Sequence, residues 1–354
     1  MQSFAGRRLV AALAAAAVVS ALSACGASDA EEDASGQPET SASADALTIY
    51  SGRNETLVGP LLEDLEAAVG QPVEVRYGDS SELAAQLLEE GERTEADLFF
   101  SQDAGALGAL SKAGLLATLD TATVETAPED YRADDGSWVG VSARSRVIVY
   151  NPDKVPAADL PASIFELTDP KWKGQIGFAP TNASFQAFVT GLRVLTGEDR
   201  AREWLEGFKA NQPRAFEGNG LVLDAVDSGE ISLGLVNHYY LYEKIAEEGA
   251  ENVTAENHFL PGGDPGALVN VAGVGVIEGS DQADAANEAV QFLLGEQAQQ
   301  YFADETAEYP VREGITTTKH DLPALDSLQN PDIDLTDLSS LEQTLALLDE
   351  VGLT

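Results

Sequence analysis

The chain has one cysteine and one methionine in 354 residues, three histidines, and only 20 lysines and arginines against 60 aspartates and glutamates. A single cysteine excludes an internal disulfide and a Cys-ligated metal cluster. A formal charge of −40 excludes nucleic-acid binding, because phosphate contacts need a basic face. The histidines, His238, His258 and His320, have no HExxH or paired-ligand spacing, and no serine stands in a G-x-S-x-G context. The chain therefore shows no machinery for acyl transfer or metal-assisted hydrolysis and reads as a non-enzyme. Aromatics are also scarce, with 9 tyrosines in all. Against that background, two of them, Tyr239 and Tyr240, stand side by side in "VNHYYLYEKI". Neighbours in a regular strand point to opposite faces, so using both for one purpose requires the strand to break there.

What is present at the start is a leader. Arg7 and Arg8 precede the apolar run "LVAALAAAAVVSAL", which is short for a bilayer span, and "LSACG" follows. Leu22-Ser23-Ala24-Cys25 resembles the bacterial lipobox, which implies lipidation of Cys25 after cleavage. Residues 1–24 are thus expected to be a lipoprotein signal peptide. Residues 26–45 contain no Phe, Leu, Ile, Val, Tyr or Trp and cannot bury enough apolar surface to order themselves. Residues 25–45 read as a disordered tether. The body from near Leu47 holds roughly 300 residues, a size natural for two lobes.

The body alternates β-rich runs with helical periodicity, the pattern of an α/β protein. "ALTIYSG", "PVEVRYG" and "ADLFFS" are strands. "LVGPLLEDLEAAVG", "SSELAAQLLEEGE" (capped by Ser80 or Ser81) and "DAGALGALSKAGLL" are helices between and after them. Two long strands, "SWVGVSARSRVIVYNP" and "GALVNVAGVGVIEGS", suit crossings between lobes. "ADAANEAVQFLLGEQAQQYFADE" reads as one amphipathic helix and "LSSLEQTLALLDEVGL" as another. The N-terminal lobe is expected over 46–146 plus 271–320, and the C-terminal lobe over 147–270 plus 321–354. Such lobes enclose a cleft where small ligands bind.

Polar residues recur at the carboxyl ends of the strands, where α/β sheets place ligands. Arg53 and Asn54 follow the first strand; Gln102 and Asp103 follow "ADLFF". "TNASF" opens a helix whose free N–H groups at Asn182, Ala183 and Ser184 form an anion site by geometry. Asn219 precedes the helix "LVLDAVDSG", and Asn237, His238, Tyr239 and Tyr240 follow "GLV".

Taken in order, "LTIYSGRNE", "EGERTEADLFFSQDAGAL", "SARSRVIVYN", "PKWKGQIGFAPTNASF", "NHYY", "DPGALV" and "AEYPV" resemble the bacterial ferric-iron-binding proteins of ABC importers, from about Leu47 to the C-terminus. The resemblance implies a type II periplasmic-binding-protein fold: two lobes, each a mixed, mostly parallel sheet with flanking helices, joined by two hinge strands. It implies that Tyr239 and Tyr240 bind Fe3+ as phenolates. A phenol has a pKa of about 10, and a small trivalent cation can displace its proton. The family's synergistic-anion positions match Asn182, Ala183, Ser184 and Asn219. Arg53 and Arg144 resemble arginines that hold carbonate in some relatives, although either could instead form an ion pair. Many relatives place a His at Asn54 and a Glu at Gln102, and this chain has neither. These two, with Asn237 and His238, are expected to stand around the ligands rather than on the metal, and Tyr50, Tyr77 and His238 are further candidates for ligands. The implied partners are an ABC permease and its ATPase, the cargo ferric ion with carbonate or phosphate, the state monomeric, and the location the outer face of the cell membrane through a lipid on Cys25. The competing expectation is a same-fold receptor for a small organic anion.

Overall fold

The computed structural model describes residues 46–328 and 330–354; the expected leader, Cys25 and tether lie outside them. Ten strands occur among the described residues: β1 Leu47–Ser51, β2 Val73–Tyr77, β3 Leu98–Ser101, β4 Val139–Tyr150, β5 Ile176–Phe178, β6 Arg214–Ala215, β7 Leu233–Asn237, β8 Glu256–His258, β9 Val269–Val276 and β10 Tyr309–Pro310. Their order is β2-β1-β3-β9-β4-β7-β5-β6, with β8 and β10 also pairing β4. β1, β2 and β3 are parallel, as are β5, β6 and β7; β9 runs antiparallel to β3 and β4, and β4 antiparallel to β7.

β4 is the joint between the two halves. Its residues up to Ser145 pair with β9, and Arg146–Tyr150 pair with β7. It is buried along its whole length. That accounts for its run of small and β-branched residues without a regular polar alternation, broken only by Arg144, Arg146 and the terminal Tyr150. β9 carries the chain back beside it, so the two long strands read from the sequence are the two crossings.

Separate cores form on either side. Leu47, Phe99, Leu107, Trp138, Val274 and Phe302 belong to one; Ile148, Trp172, Phe185, Trp204, Leu233 and Leu348 to another. A smaller cluster around Val149, Val222 and Val236 backs the far face of β7. Within 321–354, expected in the C-terminal lobe, Leu328, Leu335 and Leu338 pack in the first core, and Leu347, Leu348, Val351 and Leu353 in the second.

Two local readings are corrected. Asp79, not Ser80 or Ser81, occupies the cap position of the helix Ser80–Glu90, because the Ser80 hydroxyl is engaged elsewhere, accepting the Gln102 N–H at 2.8 Å. The stretch read as one helix after β9 is two, Ala283–Leu293 and Glu296–Asp304. Gly295 turns the chain between them in an extended conformation. The buried Gln299 Nε2 then donates to the freed Leu293 carbonyl and to Val141 of β4, satisfying an acceptor the break exposes.

Candidate functional site

The carboxyl ends of both parallel strand sets face one cleft of about 900 Å3. The first lobe contributes Arg53 and Asn54 after β1, Tyr77 at the end of β2, and Gln102 and Asp103 after β3. The second contributes Asn182–Ser184 after β5, Glu217 after β6, and Asn237, Tyr239 and Tyr240 after β7. Parallel strands with helical crossovers gather their polar ends in this way.

β7 ends at Asn237, and His238 takes helical angles (φ −59°, ψ −36°) before the helix Tyr239–Glu248. The tyrosines are therefore one helical step apart rather than on opposite faces, and their rings stack with centroids 4.5 Å apart at 25°. Tyr239 is buried and Tyr240 half-buried, and both line the cleft. Burial, then the neighbouring Tyr240 and Glu308, pushes the Tyr239 phenol well above its usual pKa, while Arg144 pulls the other way. At neutral pH this phenol is therefore protonated.

Arg144 and Arg146 alternate along β4 and so share a face. Both are buried and line the cleft. Arg146 Nη1 donates to Ser184 Oγ (3.0 Å) and Asn237 Oδ1 (3.3 Å). Arg146 Nη2 and Arg144 Nη1 are buried without a partner. Burial lowers the Arg146 pKa to about 10, against the pull of Tyr240 and Tyr239. Two guanidinium groups with unspent donors beside the start of a helix have the donor chemistry that suits an anion.

Asn182 caps that helix, Ala183–Thr196, accepting the Ser184 N–H at 3.0 Å and the Ser184 hydroxyl at 2.6 Å. Asn219 lies behind them, donating to Asn182 Oδ1 (3.2 Å) and Ser184 Oγ (3.0 Å); it does not line the cleft, and its own Oδ1 is unpartnered. Asn54 caps the helix Glu55–Val69.

Arg53 is engaged rather than free. Its Nη1 and Nη2 grip the Glu308 carboxylate at 3.0 and 2.6 Å, and Nη1 also donates to Gln102 Oε1 at 2.8 Å. Only its Nε lacks a partner. Ser142 and Thr306 donate to the same carboxylate. Burial would raise the Glu308 pKa, but Arg53 and Arg144 outweigh it and hold it below the usual range. The loop reaches this place because residue 52 is glycine: a Cβ there would lie 1.9 Å from Ser80 Oγ.

His238 is fully buried behind the tyrosines and outside the cleft lining. Its Nδ1 accepts the Ser145 N–H at 3.2 Å, its Nε2 donates to the Ala307 carbonyl at 2.9 Å, and its ring stacks on Tyr309. Burial lowers its pKa to about 4. Ala307 pays for this contact with a left-handed φ of 51°, an uncommon state for a residue with a Cβ.

The sequence reading missed Arg146, Glu308 and Glu243. The alternation R-S-R in "SARSRV" was a usable signal for Arg146. Glu243 sits one helical turn beyond the tyrosine pair on the cleft, its pKa raised to about 7 by burial and then Glu308 and Glu247. Among the described residues, no three His, Cys, Asp or Glu side chains gather as a metal cluster. No helix there is long and apolar enough to cross a membrane.

Two α/β lobes joined by paired crossing strands, with a polar cleft at the carboxyl ends of both sheets, define a two-lobed solute receptor. The chain belongs to the bacterial extracellular solute-binding proteins, matching that family over residues 94–336, a family of binding proteins rather than enzymes. It is 35% identical over 314 residues to the Fe(3+)-binding periplasmic protein of Serratia marcescens, covering 88% of this chain and 92% of that one. Iron-bound HitA from Pseudomonas aeruginosa superposes with a TM-score of 0.81 at 34% identity, over 87% of this chain and 99% of that chain. A Trichodesmium protein (IdiA, FutA) in complex with iron and citrate gives 0.74 at 28% identity, over 87% and 100%.

Proposed function

We propose that this chain captures Fe3+ outside the cytoplasm and delivers it to an ABC permease driven by a cytoplasmic ATPase. Tyr239 and Tyr240 bind the ion as phenolates, and an anion such as carbonate or phosphate completes the coordination. The observation that carries this reading is the stacked tyrosine pair facing the unspent donors of Arg144 and Arg146 in one cleft. Hard phenolate oxygens suit a small trivalent cation, and the guanidinium pair suits a planar dianion. The anion's charge also offsets the cost of burying two arginines. Asn182, Ala183 and Ser184 offer it helix N–H groups, with Asn219 behind them. Arg53 contributes field rather than its fork, which Glu308 holds.

The body works as two lobes hinged at β4 and β9 and closing over the ion, with 46–146 plus 271–320 in one and 147–270 in the other. Of the C-terminal stretch, Leu335 and Leu338 pack with the first and Leu347, Leu348 and Leu353 with the second. A lipid on Cys25 tethers the monomer to the membrane; intact-mass spectrometry of the cell-derived protein tests that. The functional test is a titration of the mature protein with ferric citrate. A visible phenolate-to-iron band is expected, and Tyr239→Phe with Tyr240→Phe abolishes it. A colourless wild-type titration overturns the proposal.

A second reading has its own support: the cleft volume and two unspent arginines also fit a small organic anion without metal. In that case the double phenylalanine variant keeps most of its affinity for the anion.

A further inference from the structure

A pair of phenolates from one wall, with a bidentate anion, leaves coordination positions of a trivalent ion facing the opposite lobe. Oxygen donors on that wall can be sorted by what they already hold. Asn54 Oδ1 accepts the Thr56 N–H at 2.8 Å, Gln102 Oε1 the Arg53 guanidinium at 2.8 Å, and Asp103 Oδ1 the Ala106 N–H at 3.2 Å. Of the donors that can become anionic, Glu55, Tyr77 and Asp79 remain, all lining the cleft and none with a hydrogen-bonded side chain among the described residues. Glu55 and Asp79 are exposed, while Tyr77 is half-buried.

Tyr77 is also the best anchored of the three. It is the last residue of β2, in register with Ser51 of β1, and the next N–H, of Gly78, donates to the Ser51 carbonyl at 3.1 Å. Its ring packs against the first core, and its hydroxyl runs out over the first turns of the helix Glu55–Val69. There the oxygen lies 3.9 Å from where a Cβ on Gly59 would stand, beside Glu55 Cγ at 3.8 Å from the same point. The hydroxyl ends in the cleft and holds no hydrogen bond to another side chain or to the backbone among the described residues. Burial, then Glu55 and Glu63, raise the pKa of this phenol, so only a strongly polarising cation would displace its proton.

We infer that Tyr77 is the ligand the first lobe supplies, a third phenolate that meets the ion from the wall opposite Tyr239 and Tyr240. The assignment rests on the ferric reading above. It gives the first lobe a hard anionic donor although residues 54 and 102 are amides. It also makes lobe closure part of coordination, since the ion then bridges side chains from both halves.

The test titrates full-length mature protein with ferric citrate in bicarbonate buffer, comparing wild type, Tyr77→Phe, and Tyr239→Phe with Tyr240→Phe. Phenylalanine keeps the ring of Tyr77 in its packing, so circular dichroism and the melting temperature should not move. Tyr77→Phe is expected to retain a visible band that is weaker and shifted, and to lose affinity against citrate by at least about tenfold. The double variant is expected to be colourless. If Tyr77→Phe matches wild type in band position, intensity and affinity while the double variant is colourless, the Tyr77 assignment is wrong and the ferric reading stands. If wild type itself shows no band, the ferric reading fails and this inference fails with it.

Discussion

Arg53 and Glu308, 255 positions apart in the chain, meet as a two-pronged ion pair with side chains almost wholly shielded from water. Breaking one partner of such a pair leaves an uncompensated buried charge, which costs about 3–5 kcal/mol. Glu308→Gln should therefore lower the unfolding free energy by that order in denaturant titrations. Replacing both residues, as Arg53→Met with Glu308→Leu, should cost less than the single change, because no charge is left stranded.

The two arginines of β4 should behave alike under the anion reading. Arg144→Gln or Arg146→Gln removes a charged donor, worth about 1.5–3 kcal/mol, or roughly ten- to hundredfold in ferric affinity when carbonate is the anion. Lysine at either position should rescue poorly, having charge but no planar fork. Isothermal titration with and without bicarbonate reads the difference: wild type is expected to bind more tightly with bicarbonate, and the variants should lose that dependence.

His238 sets a pH dependence of the ligand-free protein. Its ring is buried neutral with a pKa lowered from 6.5 to about 4. Between those values the unfolded chain binds a proton that the folded one excludes, so stability rises with pH across the window. The contribution is present in full above about 6.5 and is lost as pH falls towards 4, a change on the order of 3 kcal/mol. Melting temperatures measured from pH 7 to 4 should fall more steeply for wild type than for His238→Asn, whose absolute stability is lower.

Asn182 has a smaller, local effect. Asn182→Ala removes a helix cap, worth about 1 kcal/mol, and also frees the Asn219 amide it receives. Urea denaturation should show at least that loss, and the order of the Ala183–Ser184 N–H groups should drop in amide exchange.

Much of the architecture was legible because its causes are local. Apolar periodicity marked the helices Glu55–Val69 and Ala183–Thr196, and Asn182 and Gly70 marked their ends. The length and β-branching of β4 and β9 marked the crossings. The break before Glu296 escaped notice because the apolar spacing continues nearly in phase through Leu294 and Gly295; the buried Gln299 that fills the gap becomes visible only when β4 lies beneath it.

The sequence alone placed two phenols at the end of a strand and put polar groups at several strand ends, since short-range propensity decides where strands stop. The partners of those groups come from residues remote in the chain. Glu308 takes the fork of Arg53, Ser184 and Asn237 take one hand of Arg146, and Ala307 fixes His238. Which charged groups are spent within the protein, and which stay open to a ligand, is set by those long-range contacts and therefore by the tertiary structure.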